Sequence, residues 1–342
     1  MAFAPNLLEP DRIALARLIL AGALLRERVK RHRWLRTLLY RLEASIVLLC
    51  WWVFRALPVE RAAALGRLTL GLLGPRSAKA GIVNANLSIA FPTLAASAID
   101  ALARRNWRNL GLVFGEYPHL DRIARVEKNP RVELVDLCGL DAYRRRERAA
   151  IFFGAHLSNF EMLALALARD GVPLLALQAP LQNPQLGKLM DRARIEFGCK
   201  LVSRGDSMLA RGLLMRELVN HVREGGSLGM LLDLAMQGGA PVPFFDQPMS
   251  TSLTPVRMAE RYGCDIVPVR TERLGVARFR VTAYPPIILD RRGADEEDRA
   301  IAATRQLNAL MENWIREQPD EWMCANRRWE KTLYRSLGLA HR

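Results

Sequence analysis

The chain after Arg131 restricts the fold most, because short apolar runs of strand length alternate there with helical stretches and with Gly or Pro turns. The runs are VELVDL, AAIFFGA, PLLAL, GSLGMLL, DIVPV and FRVTAYPPI. This alternation is typical of a largely buried sheet covered by helices. It predicts an α/β fold with a central, mostly buried mixed sheet flanked by helices.

The preceding region is helical in pattern. Apolar residues repeat with helical spacing at Leu65, Leu68, Leu72 and Leu73, and again over residues 99–113. Half of the residues are hydrophobic and a quarter are charged, which is typical of a globular or membrane-associated chain and excludes a disordered one. We expect one catalytic domain over residues 59–342, preceded by an N-terminal helical region over residues 1–58.

Two apolar stretches near the N-terminus indicate contact with a membrane. They cover residues 13–25, broken by Arg17, and residues 44–57. Both are shorter than the roughly 20 residues that a spanning helix needs, which favours an anchoring helix over a spanning one. No secretory signal is recognisable, since charged residues interrupt the first stretch early.

The segment between these stretches is basic. Residues 26–41 contain seven Lys or Arg and one Glu, together with Trp34 and Tyr40. This composition suits a lipid headgroup layer, although a solvated basic helix has the same pattern. Trp51 and Trp52, close to Arg55, favour the membrane, so we expect a helical, membrane-associated N-terminal extension.

The net charge of +15 favours an anionic partner. Nucleic acid, an anionic leaflet, a phosphorylated lipid and an acidic carrier protein all satisfy this charge. We expect no nucleic acid, because the chain lacks the helix-turn-helix, zinc and RNA-recognition signatures. The five cysteines are isolated from one another, which predicts reduced thiols and no zinc site.

The segment AAIFFGAHLSNFEML, residues 149–163, contains the strongest catalytic candidate. His156 follows a buried strand and precedes a helix, where α/β proteins usually hold their reacting groups. Histidine is also the side chain best suited to proton transfer near neutral pH, so His156 is predicted to be a general base.

Glu161 is the predicted partner of His156. The two residues can pair if His156 precedes the helix and Ser158 caps it, because Glu161 then lies in the first turn. The same spacing fits a capping box, in which Glu161 bonds the backbone amide of Ser158. The spacing alone leaves both interpretations open.

These residues also carry a resemblance. GAHLSNFE, with Asn86-Leu87 and Phe91-Pro92 upstream, resembles the H-x4-D/E motif of the lysophospholipid acyltransferase superfamily, and more closely the branch with the bacterial lipid A late acyltransferases. Further segments in the expected order are NPQLGKLMDRAR, LLDLAMQGGAPVPFF and QPDEWMCANRRWE. The chain departs from the family pattern at Ser158, Phe160 and Leu234, where Gly, Trp and Gln are usual.

The resemblance assigns roles to individual residues. It implies His156 as the base with Glu161 as its partner, and it places Arg194 and Asp233 at further polar positions of the active site. Arg194 would clamp a phosphate or the acyl carbonyl, unless it forms only a surface salt bridge. Asp233 is flanked by leucines and is costly to bury unless it is paired or functional.

The remaining site candidates carry alternatives. Asn159 either orients the site or caps the helix. Arg327 and Arg328 suggest an anion-binding lip or a cation–π cluster with the neighbouring tryptophans, and Arg204 is a weaker substrate-binding candidate. We read the remaining histidines as structural or surface residues: His32, His119, His221 and His341.

The expected reaction is direct acyl transfer to a lipid hydroxyl, with no metal, no cofactor and, since a GxSxG elbow is missing, no covalent intermediate. The resemblance implies acyl carrier protein or a coenzyme A thioester as donor, and a lipid A precursor or a related phosphorylated glycolipid as acceptor. It also implies the bacterial inner membrane, with the catalytic domain on its cytoplasmic side. The alternatives are acylation of a lysophospholipid, an aminolipid or a mannosylated inositol lipid, and a non-catalytic membrane adaptor.

Overall fold

The computed structural model describes residues 33–125, 130–178, 191, 194–203, 208–290, 292–293 and 295–339. The α-helices are α1 Arg33–Ala56, α2 Val59–Leu73, α3 Ala80–Ala90, α4 Ala96–Glu116, α5 Leu120–Ala124, α6 Leu140–Arg144, α7 Glu161–Arg169, α8 Met208–Arg223, α9 Thr254–Tyr262, α10 Glu296–Glu317 and α11 Lys331–Ser336. The strands are β1 Val132–Asp136, β2 Ala150–Gly154, β3 Leu174–Gln178, β4 Lys200–Ser203, β5 Ser227–Leu231, β6 Ala240–Phe244, β7 Gln247–Thr251, β8 Asp265–Gly275 and β9 Arg278–Ala283.

Seven of these strands form a central mixed sheet in the order β1-β9-β8-β2-β5-β3-β4. Neighbouring strands are parallel except for β8 and β9, which form an antiparallel pair. β6 and β7 form a separate hairpin. The predicted α/β fold with a mixed sheet flanked by helices is confirmed, and each of the six apolar runs contributes a strand.

The sheet is buried on both faces. Along β2, Ile151 and Phe153 belong to one apolar cluster, while Ala150 and Phe152 belong to another on the opposite face. The first cluster includes α10 residues and the second includes most of α7. Because successive strand residues point to opposite faces, a strand covered on both sides must be apolar throughout, as β2 is.

Helices α2 and α4 pack unusually closely through small residues. A β-carbon at Gly66 would overlap the carbonyl oxygen of Gly111, and one at Gly115 would overlap that of Ala62. Small residues four positions apart on each helix allow two backbones to approach in this way. This helix pair lies directly before the site, since α4 ends at Glu116.

The C-terminal end of α1 is attached to the rest of the domain. Arg55 donates to Asp121 at 2.5 Å and to the Pro118 carbonyl at 2.8 Å. In the described part of the chain, no helix is long and apolar enough to cross a membrane. The predicted apolar stretch at residues 13–25 and the beginning of the basic segment, residues 26–32, lie outside the described residues.

Candidate active site

His156 lies in a loop at the carboxyl end of β2, before α7. The side chain is only 13 % exposed, and its ring packs against Phe160 with the ring centroids 4.9 Å apart. The next residue, Leu157, forms an antiparallel bridge with Trp322. The imidazole therefore packs against an aromatic ring and has limited access to water.

Asp233 holds the imidazole. It follows β5, which is the parallel neighbour of β2, so both residues lie at the same edge of the sheet. One carboxylate oxygen, Oδ1, lies 2.6 Å from His156 Nδ1 and accepts the His156 backbone N–H at 3.0 Å. The ring and the backbone of His156 are thus fixed by a single oxygen.

The second oxygen of Asp233 is bound by residues from the C-terminal part of the chain. Oδ2 accepts from Trp322 Nε1 at 3.0 Å and from Arg328 at 3.1 Å. Complete burial acts to raise the pKa of Asp233, but the charges of His156 and Arg328 and the hydrogen bonds outweigh it and hold the pKa well below its usual range. Asp233 is therefore ionised.

This arrangement determines the tautomer of His156. An ionised carboxylate only accepts hydrogen bonds, so Nδ1 must carry the hydrogen that points at Asp233. In the neutral ring, Nε2 is then a hydrogen-bond acceptor, and no described residue donates to it. A neutral histidine with a free Nε2, braced by a carboxylate, has the form that a general base requires.

Glu161 does not pair with His156, which corrects the expected contact. It is the first residue of α7, as predicted, but its oxygens bind Arg194 at 2.5 and 2.6 Å and Tyr117 Oη at 2.6 Å. Burial acts to lower the pKa of Arg194, but the charge of Glu161 outweighs it and raises the pKa. Arg194 thus forms a largely buried ion pair with Glu161 and is not a surface salt bridge, and its contact with a substrate stays a prediction.

Ser158 does not cap α7. The residue at the cap position is Phe160, and no side chain caps the helix. Ser158 instead has a φ of 54°, in the left-handed region, and its backbone N–H donates to the Glu321 carbonyl at 3.0 Å. Gly, which the resemblance leads us to expect at this position, adopts the left-handed region without steric cost. Neither the capping box nor the predicted Ser158 cap is formed.

A second buried polar cluster contacts the loop through Asn159. Glu116, at the end of α4, accepts from Asn159 at 3.0 Å, from both terminal nitrogens of Arg273 and from the Ala277 N–H at 3.1 Å. Glu321 lies 4.0 Å from Arg273, and burial raises its pKa. The Asn159 side chain is thus bonded to Glu116 and does not cap the helix, and its role in orienting the site stays a prediction.

A comparison with known protein families covers most of the chain. Residues 29–331 match the sequence profile of the bacterial lipid A biosynthesis acyltransferases. The chain belongs to this family. A search of curated proteins returns no match. The protein is therefore an acyltransferase of the lipid A late-acylation kind, and the predicted resemblance is confirmed.

The remaining predicted site residues of the acyltransferase have different outcomes. Arg328 is fully buried, so its predicted place in an exposed anion-binding lip is corrected. Arg327 is exposed, with its guanidinium 5.9 Å from the Tyr334 ring centroid. Arg204, His32 and His341 lie outside the described residues.

Two further histidines of the acyltransferase are buried structural residues. Nε2 of His119 lies 2.9 Å from the Phe54 carbonyl, and Nε2 of His221 lies 3.0 Å from the Pro173 carbonyl. Burial lowers the pKa of both. In the described part of the chain, no group of three or more His, Cys, Asp or Glu is placed to hold a metal ion.

Sequence reasoning missed four polar members of the acyltransferase site: Glu116, Tyr117, Arg273 and Trp322. One feature of the sequence could have marked Glu116 as a site residue, since it is a carboxylate at the end of a helix with a periodic apolar pattern. Arg273 lies on β8 beyond the apolar run that marked this strand, and nothing in its local sequence links it to a residue 157 positions earlier.

Proposed function

We propose that the protein transfers a fatty acyl group from an acyl thioester to a hydroxyl of a lipid A precursor or a related phosphorylated glycolipid, with His156 as general base. The observation that supports this best is the bond between His156 Nδ1 and Asp233 Oδ1 at 2.6 Å, which leaves Nε2 free to accept a proton. The family membership supports the type of reaction.

The proposed step is a direct transfer. His156 Nε2 removes the proton of the acceptor hydroxyl, and the resulting oxygen attacks the thioester carbonyl carbon. The C–S bond of the tetrahedral intermediate then breaks, and the imidazolium returns the proton to the departing sulfur. The products are an ester and a free thiol, and Asp233 stabilises the imidazolium between the two proton transfers.

Acyl carrier protein or coenzyme A is the proposed donor. Both are anionic, and the net charge of +15 favours their approach by electrostatic attraction. The acceptor is phosphorylated in this proposal, and the same charge attracts it. In this proposal Glu161 and Arg194 hold the start of α7, so that the loop with His156 keeps its shape while both substrates bind.

We also propose that the protein works at the cytoplasmic face of the bacterial inner membrane, through α1. Most exposed apolar side chains on α1 recur every three or four residues, so these share one face of the helix. The exposed apolar side chains are Leu38, Leu42, Ile46, Leu48, Leu49, Trp52 and Val53. An apolar face with a tryptophan near its end suits insertion into the outer acyl layer of a bilayer.

Turnover of the purified protein tests the catalytic proposal. The assay measures consumption of an acyl carrier protein thioester or of a coenzyme A thioester, and formation of acylated lipid. The acceptors are a lipid A precursor, a lysophospholipid, an aminolipid and a mannosylated inositol lipid. His156→Ala is expected to lower kcat by about 10²–10⁴-fold, the usual contribution of a general base. The control is Gly212→Ala on α8, where a β-carbon meets nothing within 4 Å.

Equal rates for His156→Ala and the wild type would rule out the proposed base. Transfer to a different acceptor alone would change the assigned substrate and leave the mechanism intact. No transfer from either thioester to any acceptor would favour the non-catalytic adaptor.

Vesicle sedimentation tests the membrane proposal. A charge on the apolar face must be desolvated or withdrawn from the bilayer, so Leu49→Glu and Trp52→Glu are each expected to weaken binding at least tenfold. Leu213→Glu on α8 is the matched control, because Leu213 is also an exposed leucine, at 58 % exposure against 66 % for Leu49. Equal binding by all three variants would exclude α1 as the membrane contact.

A further inference from the structure

The C-terminal segment, residues 318–330, lies directly against the His156 loop. The Met323 N–H donates to the His156 carbonyl at 2.8 Å, and the Ser158 N–H donates to the Glu321 carbonyl at 3.0 Å. These bonds fix the backbone on both sides of the Leu157–Trp322 bridge. The loop that presents the base therefore depends on a segment more than 160 residues later in the chain.

Arg328 is the buried charge of this segment. Its guanidinium donates to Asp233 Oδ2 at 3.1 Å, to the Met323 carbonyl at 2.7 Å and to the Asn326 carbonyl at 3.0 Å, and it lies 5.3 Å from the Trp322 ring centroid. Its side chain has no exposed surface. Arg328 therefore cannot touch a substrate, and any effect on the reaction must pass through Asp233.

We propose that Arg328 is a positioning residue. Together with Trp322 it occupies one oxygen of Asp233, so that the other oxygen binds His156, and the charge of Arg328 sets the pH range in which the base is active. This inference rests on the proposed function. It gives Trp322 and Arg328 a role other than substrate binding.

The hydrogen bonds of Asp233 divide cleanly between its two oxygens. Oδ2 receives Trp322 and Arg328, while Oδ1 receives the backbone N–H and the ring of His156. Four donors around one carboxylate leave it a single orientation. Without Arg328, Oδ2 keeps only the Trp322 donor, so the carboxylate is held less firmly and the geometry of the His156 contact loosens.

The charges around the imidazole explain the expected pH effect. Asp233 contacts the ring, Arg328 lies behind Asp233, and Glu321 lies in the segment bonded to the loop. The positive charge of Arg328 partly offsets the attraction of Asp233 for the imidazolium. Removing it strengthens that attraction, so the base stays protonated, and inactive, up to a higher pH.

The test compares Arg328→Met, Arg328→Lys and Trp322→Phe in the full-length protein. For Arg328→Met we expect kcat to fall at least tenfold, KM for the thioester to stay within twofold, and the acid limb of kcat/KM to move up by about one pH unit. Arg328→Lys restores the acid limb but only part of kcat, because Lys keeps the charge and lacks the planar fork. Arg335→Met, on the exposed surface of α11, is the matched control.

Trp322→Phe keeps the inference testable if Arg328→Met does not fold. It removes one donor to Oδ2 and keeps a buried aromatic ring, so we expect a fall in kcat of about threefold to tenfold, the usual effect of one hydrogen bond. Folded Arg328→Met or Trp322→Phe with the wild-type kcat and acid limb would overturn the inference. An active His156→Ala would overturn the proposed function itself, whereas an inactive His156→Ala with unaffected Arg328 variants would overturn only the positioning role.

Discussion

The most informative single change is Asp233→Asn. The carboxylate accepts four hydrogen bonds, two at each oxygen, and the amide has only one oxygen. If that oxygen faces the two side-chain donors, Trp322 and Arg328, the NH₂ group faces His156 Nδ1 and the His156 backbone N–H, which loses its acceptor. Nδ1 must then be the acceptor, so Nε2 carries the hydrogen and cannot act as the base.

The expected loss of activity is large. In serine proteases, the same exchange beside the catalytic histidine lowers kcat about 10⁴-fold through the wrong tautomer, which corresponds to about 5.5 kcal/mol at 1.36 kcal/mol per tenfold. The exchange also leaves Arg328 buried without its anion, which costs about 3–5 kcal/mol of stability. Rates must therefore be referred to the folded fraction, measured by circular dichroism.

Two further variants separate the tautomer from the charge. Asp233→Asn combined with Arg328→Met is expected to recover most of the lost stability, because the buried charge is gone, but none of the activity. Asp246→Asn is the matched control, since Asp246 is exposed and its φ of 56° suits Asn equally well. Asp233→Asn with kcat within tenfold of the wild type, or activity regained in the double variant, would refute the tautomer argument.

Three other predictions concern stability, measured by chemical unfolding. Gly111→Ala is expected to lower the free energy of unfolding by more than 2 kcal/mol, because its β-carbon would overlap the Gly66 carbonyl. Gly212→Ala should instead raise this free energy by about 0.5–1 kcal/mol. Equal effects of the two variants would contradict the close helix packing. Ser158→Gly should change the free energy of unfolding by less than 1 kcal/mol. Ser158→Val should lower it by about 2 kcal/mol, because a β-branched residue is strained at positive φ. An unchanged free energy of unfolding for Ser158→Val would contradict the left-handed backbone. Since the folded protein holds the pKa of Asp233 well below its unfolded value, the stabilisation is complete above about pH 4 and is lost as the pH falls toward the folded pKa. The stability difference between the wild type and Asp233→Asn should therefore narrow below pH 4, and a constant difference would contradict the lowered pKa.

The strands and the position of the base were predictable from local sequence. Apolar runs such as the one ending at Gly154 mark strands buried on both faces, and the histidine that follows such a run lies at the carboxyl edge of the sheet. Asp233 also follows an apolar run. Two polar residues that each follow a buried parallel strand meet if those strands are neighbours, but local sequence does not state the strand order.

The partner of His156 could not be read from spacing. Glu161 is five positions away, and the motif suggested a direct contact, yet the first turn of α7 points its carboxylate at Arg194 and Tyr117. The deciding residues lie far apart in the chain, 77 positions for His156 and Asp233 and 95 for Asp233 and Arg328. Pattern reasoning within one segment cannot detect pairs at such distances.

Three buried carboxylates in the described part of the chain are each neutralised by an arginine from another segment: Glu161 by Arg194, Asp233 by Arg328 and Glu116 by Arg273. An ion buried without its partner is costly, and a broken buried pair loses about 3–5 kcal/mol. Such a loss is a large part of the free energy of unfolding of a typical protein, which is about 5–15 kcal/mol. The charges around the His156 loop can therefore be buried only when α4, α7, β8 and the C-terminal segment close together. Because the same bonds orient the base, partial unfolding of any of these elements should abolish acyl transfer before the rest of the sheet unfolds.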